Sequence, residues 1–154
     1  MTSQPLPDGI VEVVETLAGA YQQDVRAGRH VLTADEPANV GGDDAGPGPY
    51  DYLLAALGAC TSMTVRMYAN RKGIKLRRVA VRLSHRKVHA QDCADCETKA
   101  GDIEEISRVI RFEGDLDETT RAKLLEIANK CPVHRTLTGE IKVRTTLDPV
   151  GAAA

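Results

Sequence analysis

Apolar and polar residues alternate along several stretches of the chain, as they do in β-strands that bury one face. The clearest stretch is the last one, where Ile141, Val143 and Leu147 are separated by polar residues. In an earlier stretch, Val79 and Leu83 point to the side opposite the neighbouring arginines. The stretches that predict strands are 10–37 (two strands around a turn), 79–89, 103–114 (Ile110 and Phe112 facing inward) and 141–147.

A long helix is predicted after the first strands. Pro49 is tolerated in a first helical turn, Asp51 places a negative charge at the helix N-terminus, and Gly73 ends the helix. From Leu53 to Ala59 no side chain is polar, so this helix needs cover from several directions. A single sheet hardly provides that cover. We therefore expect a homodimer whose partner helps to enclose the helix, with a well-covered monomer as the alternative.

A second helix is predicted from Asp117, a good N-cap residue, and Pro132 interrupts it just after Cys131. Pro132 also suits the first position of a further short helix. The apolar stripe predicted to bury the second helix consists of Ala122, Leu124, Leu125, Ile127 and Ala128.

The order of elements is therefore strands, long helix, strands, helix and strand, which indicates an α+β fold. The two central strands are expected to pair antiparallel, and the glycine- and proline-rich segment 39–50 is expected to be a flexible connector. The length of 154 residues fits a single domain, 1–154, with 1–8 and 148–154 as frayed tails.

Composition narrows the class of function. The formal net charge of -2 provides no positive field for a polyanion, so nucleic acid is not an expected partner. The sequence contains neither a basic-then-apolar leader nor an apolar run long enough to span a membrane. We therefore expect a cytoplasmic protein, in which cysteines are more often metal ligands, catalytic thiols or buried apolar groups than permanent disulfides.

Two cysteines lie in or beside the predicted helices. Cys60 is near the middle of the long apolar helix, where a lone thiol is more often packing than chemistry. Cys131 precedes the short helix, close to its positive end, with His134 and Arg135 within one turn. Such a setting favours a reactive thiolate, although a thiol at a helix kink is also compatible with an inert role.

The other two cysteines, Cys93 and Cys96, form a Cys-x-x-Cys motif downstream of His85 and His89. This spacing suits zinc, but a zinc site needs four convergent ligands. A thioredoxin-type redox pair is disfavoured, because that motif opens a helix after a strand and the acidic neighbours here oppose thiolates. The alternative is a polar loop with incidental thiols. The acidic neighbours are Asp92, Asp95 and Glu97.

Two stretches together resemble the OsmC/Ohr family, the osmotically inducible protein C and organic hydroperoxide resistance proteins. They are "GPGPYDYLLAALGACTSMTVRMYANRKG" and "CPVHRTL", the second followed by a predicted strand. The stretch "HAQDCADCET" is similar to the OsmC-like branch sometimes fused to an α/β-hydrolase. The resemblance implies an intertwined homodimer in which two central helices are cradled by antiparallel β-sheets.

The same resemblance implies a thiol-dependent peroxidase without a cofactor. Cys60 matches the peroxidatic cysteine and Cys131 the resolving cysteine, and the implied partners are an organic hydroperoxide and a small dithiol or lipoyl-type reductant. The rival hypotheses are a non-catalytic dimeric protein that binds a small hydrophobic ligand, and a zinc protein that uses the Cys93 and Cys96 cluster.

The family's arginine and glutamate, which stabilise the thiolate, are not matched directly. The hydroperoxide resistance branch has its glutamate ten residues before the cysteine, where this chain has Tyr50, followed by Asp51. The candidates for supporting groups are Asp51, Arg26, Arg29 and His134.

Overall fold

The computed structural model describes residues 4–148 and divides the chain into two compact units. The first unit consists of the residues up to 58 together with 82–109, and the second of 59–81 together with the residues from 110 onward. The predicted single domain stays a prediction. Most of the predicted tails, 1–8 and 148–154, lies outside the described residues, and in the part that is described Leu6 N–H donates to the carbonyl of Gly28 over 3.1 Å.

The first unit begins with a three-stranded antiparallel sheet whose strands lie side by side in sequence order. The strands are β1, Val11–Glu15; β2, Gln23–Ala27; and β3, His30–Ala34. The prediction of two strands in this region was wrong, because the structure has three. Ala27 pairs with His30 across a two-residue turn, and Gly28 adopts a φ of 55°, which glycine reaches without steric cost and which matches the twist of a tight hairpin.

The loop after this sheet is organised by one buried carboxylate. Asp35 is 3% exposed and accepts backbone N–H bonds from Glu36, Asp43 and Ala45 at 2.8, 3.0 and 3.1 Å. A short 3-10 turn, Ala38–Val40, lies inside the loop. The segment predicted as a flexible connector, 39–50, is therefore held to this one side chain at two points, Asp43 and Ala45.

The long helix, α1, spans Pro49–Lys72, and Gly73 follows with a φ of 64°. Its start and end are as predicted. Its buried residues recur every fourth position, at Leu57, Thr61, Val65 and Ala69, whereas another face is exposed. The exposed side chains on that face, named here the α1 stripe, are Ala56, Ala59, Met63 and Met67.

The expectation that α1 is covered on all sides is not met within the described part of one chain. Met63 and Met67 are 60% and 66% exposed. The intertwined dimer, which would supply the missing cover, stays a prediction.

Two long strands form the second sheet: β4, Arg78–His89, and β5, Asp102–Glu113. Arg77 N–H donates to the carbonyl of Glu113 at one end of the pair, and Ala90 N–H donates to the carbonyl of Gly101 at the other, at 2.7 and 2.8 Å. The start of one strand thus meets the end of the other, so the predicted antiparallel pairing is confirmed.

The second unit has its own hydrophobic core, made of Val65, Ala69, Leu76, Leu124 and Ala128, against which Ile110 and Phe112 of β5 pack as predicted. Helix α2, Glu118–Ala128, follows its N-cap Asp117. The predicted stripe of α2 was wrong at two positions, because Ala122 is exposed and Leu125 is 51% exposed. The buried face centres on Leu124 and Ala128, which are one turn apart.

The predicted strand at 141–147 is not formed in the structure, although its alternation is the clearest in the sequence. Ile141, Val143 and Leu147 are 53%, 86% and 89% exposed. A strand needs a neighbour to receive its backbone hydrogen bonds, and within residues 4–148 this segment is assigned to neither sheet. The α+β class itself is confirmed by the mixture of helices and antiparallel sheets.

Within residues 4–148, no helix combines the length and the hydrophobicity that crossing a lipid bilayer would require.

Candidate active site

Cys131 is the N-cap residue of a short helix, α3, Pro132–Leu137. It has the extended backbone of an N-cap (φ −64°, ψ 142°), and its Sγ accepts the backbone N–H of His134 over 3.4 Å. The sequence dictates this arrangement, because Pro132 lacks an N–H and has the backbone angle of a first helical residue. A hydrogen bond to sulfur and the positive end of a helix both favour a thiolate, whereas the complete burial of Cys131 opposes it.

The α1 helix reaches Cys131 through Thr61. The Thr61 hydroxyl and the Cys131 sulfur are 3.6 Å apart and both residues are 0% exposed. Because neighbouring Cα atoms are about 3.8 Å apart, this contact places the Cα of Cys60 within about 10 Å of the Cys131 sulfur. Both cysteines are in the thiol form. A disulfide between them needs a Cα separation below about 7 Å.

The two thiols differ in exposure. Cys60 is partly exposed, whereas Cys131 is buried at 0% exposure. A molecule that approaches this unit from solvent therefore reaches Cys60 before it reaches Cys131. Ser62 and Thr64 follow Cys60 on the same helix and are also partly exposed.

The lysine directly before Cys131 is already paired. Lys130 and Lys123 both donate to the carboxylate of Glu126, the latter over 2.7 Å. Hydrogen bonds from Lys123 and Lys130 lower the pKa of Glu126 to about 2, so this carboxylate is ionised over the whole physiological range. The ammonium group of Lys130 is thus paired with a carboxylate of α2.

The supporting candidates from the sequence have different positions. His134 lies in the same unit as both thiols and gives its backbone N–H to Cys131. Asp51 accepts the N–H of Gly48 over 3.0 Å, which fixes the start of α1. Arg26 pairs with Glu12 over 2.9 Å between β2 and β1, and Arg29 is exposed in the turn after β2. Of the four, the structure joins only His134 to a thiol by a hydrogen bond it describes.

His85 takes part in a separate polar cluster of the first unit. Its ring stacks on Tyr50 with centroids 4.3 Å apart, and its Nε2 lies 2.5 Å from a carboxylate oxygen of Glu104. The sequence does not reveal this cluster, because Glu104 becomes a partner only through the pairing of β4 with β5. Tyr50 thus contacts a histidine–glutamate pair.

The predicted zinc cluster is only partly assembled. Cys93 and Cys96 form a disulfide, so their sulfurs would have to be reduced before they could bind zinc. Within the described residues, one carboxylate oxygen of Asp95 lies within 4.8 Å of both sulfurs, and this three-residue group does not include the two histidines. His85 contacts Glu104 instead, and His89 accepts the N–H of Gln91 over 3.3 Å. The alternative of a polar loop with incidental cysteines stays a prediction, because a bond between the two sulfurs does not by itself give them a role.

Solved structures with the same fold are numerous, and three are representative. The OsmC-like protein of Mycoplasma pneumoniae is 21% identical, with 86% of this chain and 90% of that chain covered and a TM-score of 0.63. The organic hydroperoxide resistance protein OsmC of Legionella pneumophila is 20% identical, with 88% and 93% covered and a TM-score of 0.61. The organic hydroperoxide resistance protein OhrB of Bacillus subtilis is 17% identical, with 84% and 91% covered and a TM-score of 0.57.

At these identities the structural matches show a common fold. No curated protein sequence matches the chain significantly. The family model for OsmC-like proteins, however, matches residues 41–146, which is more than half of the chain and includes both Cys60 and Cys131. The chain therefore belongs to the OsmC-like protein family.

Proposed function

We propose that this protein is a thiol-dependent peroxidase that reduces organic hydroperoxides, with Cys60 as the peroxidatic and Cys131 as the resolving cysteine. The observation that carries the proposal is the buried contact between Thr61 and Cys131. It connects the helix of one thiol with the sulfur of the other inside one compact unit. Two of the structurally similar proteins are named for organic hydroperoxide resistance, which supports the same chemistry here.

The difference in exposure supports the assignment of roles. The partly exposed Cys60 thiolate attacks the terminal oxygen of ROOH, and the O–O bond breaks. Cys60 becomes a sulfenic acid, and RO⁻ leaves and takes up a proton from solvent to become ROH. The Cys131 thiol then attacks the Cys60 sulfur, a disulfide forms, and the sulfenic oxygen leaves as water. A small dithiol or lipoyl-type reductant restores both thiols and becomes a disulfide itself. The cytoplasm, where we place the protein, keeps such dithiols reduced.

The α1 stripe supports an organic substrate. Ala59 and Met63 flank Cys60 on the helix, and both are exposed, so the thiol opens next to an apolar surface that suits an alkyl or acyl group. We propose that a second copy of the chain covers this stripe in a homodimer and makes a dry site. Burial of the exposed Met63 and Met67 side chains would stabilise such a dimer.

His134 is the residue that we propose as the supporting group of the thiols. Its backbone N–H already contacts the Cys131 sulfur, and a hydrogen bond to sulfur favours the thiolate. The change His134→Gln keeps the backbone hydrogen bond but removes the titratable ring. It should lower the reaction rate, because it removes the imidazole beside the thiols.

The decisive experiment is a coupled peroxidase assay with cumene hydroperoxide and either dihydrolipoamide or dithiothreitol. Wild type should turn over, Cys60→Ser should lose the reaction, and Cys93→Ser/Cys96→Ser, as the matched control, should keep it. An absence of turnover in wild type, or unchanged turnover in Cys60→Ser, would contradict the proposal. In that case, saturable binding of an apolar ligand to wild type would support the binding-protein alternative instead.

A further inference from the structure

A second pair of sulfurs lies in the loop between β4 and β5, in the first unit. Cys93 and Cys96 are joined by a disulfide with a Cα separation of 5.5 Å, and both residues are partly exposed. The proposed peroxidase reaction uses neither of them. The loop is closed at its base by the hydrogen bond from Ala90 N–H to the carbonyl of Gly101, so the disulfide lies beyond the end of the paired strands.

A structural function does not explain this disulfide. It links residues only three positions apart, so it closes a very small loop and restricts the unfolded chain little compared with a long-range bridge. Both cysteines belong to the same loop, and the disulfide therefore ties no helix or strand to another. In the reducing compartment expected for this protein, the disulfides that do occur are mostly transient, catalytic or redox-sensing ones.

We propose that Cys93 and Cys96 form a thiol–disulfide exchange site that takes electrons from a small dithiol. The partly exposed sulfurs allow a small thiolate to approach them. Asp95 lies beside Cys93, with its Oδ1 3.4 Å from that sulfur, and repels an incoming anion there. Lys99 donates to the carbonyl of Cys96 over 2.8 Å, which brings a positive charge to the other half of the pair. The incoming thiolate therefore attacks the Cys96 sulfur.

The exchange is balanced with one dithiol. Its first thiolate forms a mixed disulfide with Cys96, and the Cys93 sulfur leaves as a thiolate and takes up a proton. The second thiol of the reductant then attacks the reductant's first sulfur, which is bonded to Cys96 in the mixed disulfide. This step releases Cys96 as a thiol and leaves the reductant as a cyclic disulfide. Two electrons and two protons pass to the pair.

Asp95 has a second effect on this site. A carboxylate next to sulfur disfavours the thiolate that must leave, so it slows reduction and stabilises the disulfide. The same carboxylate forms a compact group with the two sulfurs, all within 4.8 Å. The Asp95 carboxylate therefore lowers the rate at which the pair is reduced, and a single substitution to the amide should raise that rate.

Thiol counting tests the proposal in the variant Cys60→Ser/Cys131→Ser, where every thiol belongs to the pair. Air-exposed native protein should show none, dithiothreitol followed by desalting should give two, and oxidised glutathione should return the count to none. Wild type should change from two thiols to four, counted after denaturation, and peptide mapping should assign the disulfide to Cys93 and Cys96. This result does not depend on peroxidase activity, so the two proposals can fail separately.

Two charge variants test this effect of Asp95 on the rate of reduction. Asp95→Asn should speed reduction by dithiothreitol about fivefold, the size expected for one screened charge at this distance. Glu97→Gln removes the same charge outside the three-residue group and should change the rate less than about twofold. Two thiols in the air-exposed variant, reduction only after denaturation, or two thiols with stoichiometric zinc that Cys93→Ser/Cys96→Ser removes would overturn the exchange site, the last in favour of a metal site.

Discussion

The two cysteine pairs of this protein are held in opposite ways. Cys60 and Cys131 are far apart in sequence, lie in or at the start of helices of the second unit, and are both thiols. Cys93 and Cys96 are three positions apart on a polar loop and are already joined. Proximity in the first pair depends on how a hydrophobic core packs, whereas in the second pair it depends on one loop. The reactivity of the first pair should therefore be coupled to stability, and that of the second should not.

Of the changes that test this comparison, removal of the resolving thiol should have the largest effect, and that effect is on peroxide turnover. In Cys131→Ser, Cys60 can still react with peroxide, but no second thiol condenses with its sulfenic acid. We expect a burst of one alcohol per chain and then a slow phase, together with labelling of Cys60 by dimedone, a probe for sulfenic acids. The control Cys96→Ser should show no burst. Full steady-state turnover by Cys131→Ser would show that Cys131 has no role in resolution.

Truncation of the core tests whether only the first pair depends on packing. Leu124 is fully buried, so Leu124→Ala should lower the free energy of unfolding by about 2–5 kcal/mol. The neighbouring Leu125 is half-exposed, and Leu125→Ala should cost less than about 1 kcal/mol. Loss of the Cys93–Cys96 disulfide in Cys93→Ser/Cys96→Ser should cost no more than about 2 kcal/mol. Urea denaturation checks all three, and equal losses at the two leucines would contradict the observed helix face.

The contact between Thr61 and Cys131 offers a finer test. Thr61→Val keeps the shape of the side chain but removes the hydroxyl, and should slow disulfide formation between Cys60 and Cys131 by about two- to tenfold. Thr61→Ser keeps the hydroxyl and serves as the matched control. Rapid-quench alkylation after one equivalent of peroxide measures the step. If both variants resolve at the wild-type rate, the contact is only packing.

The smallest expected effect is on the thermal stability of the first unit at acidic pH. Hydrogen bonds from the backbone N–H groups of Ala45, Glu36 and Asp43 hold the pKa of Asp35 below its ordinary value of 3.8. A carboxylate with a lowered pKa stabilises the fold above its ordinary value, and this stabilisation is lost as the pH falls through the pKa of the folded state. Asp35→Asn should lower Tm by several degrees at pH 7 and flatten its fall in acid.

The control for that prediction is Asp8→Asn, which removes an exposed carboxylate of the same unit. Its Tm should follow the wild-type pH dependence. A parallel fall of Tm in Asp35→Asn and wild type between pH 5 and 2 would show that the Asp35 carboxylate does not contribute to stability.

Features that depend on neighbouring residues were predictable from the sequence. Pro49 and Gly73 set the start and end of α1, Asp117 caps α2, and Pro132 places Cys131 at the N-cap of α3. The alternation in β4 and β5 also predicted their pairing. For the helix ends and caps, the backbone angles and hydrogen bonds involve residues within a few positions, so the local sequence is sufficient.

Three features that depend on distant residues were not predictable. The alternation at 141–147 is a strand pattern, but a strand forms only where another edge can pair with it. Leu124 rather than Leu125 lies against the core because Val65 and Ala69 of another helix pack there. Glu104 reaches His85 only through the pairing of two strands.

The sequence by itself thus determined the helices and their ends, the pairing of β4 with β5, the family, and the place of Cys131 at the start of α3. Only the tertiary structure decided that Cys131 is buried against Thr61, that Cys60 stays partly exposed, and that one side of α1 is left uncovered. The physical reason is the range of the forces involved. Steric limits and backbone hydrogen bonds act over a few residues, whereas burial and exposure are properties of a core assembled from distant segments.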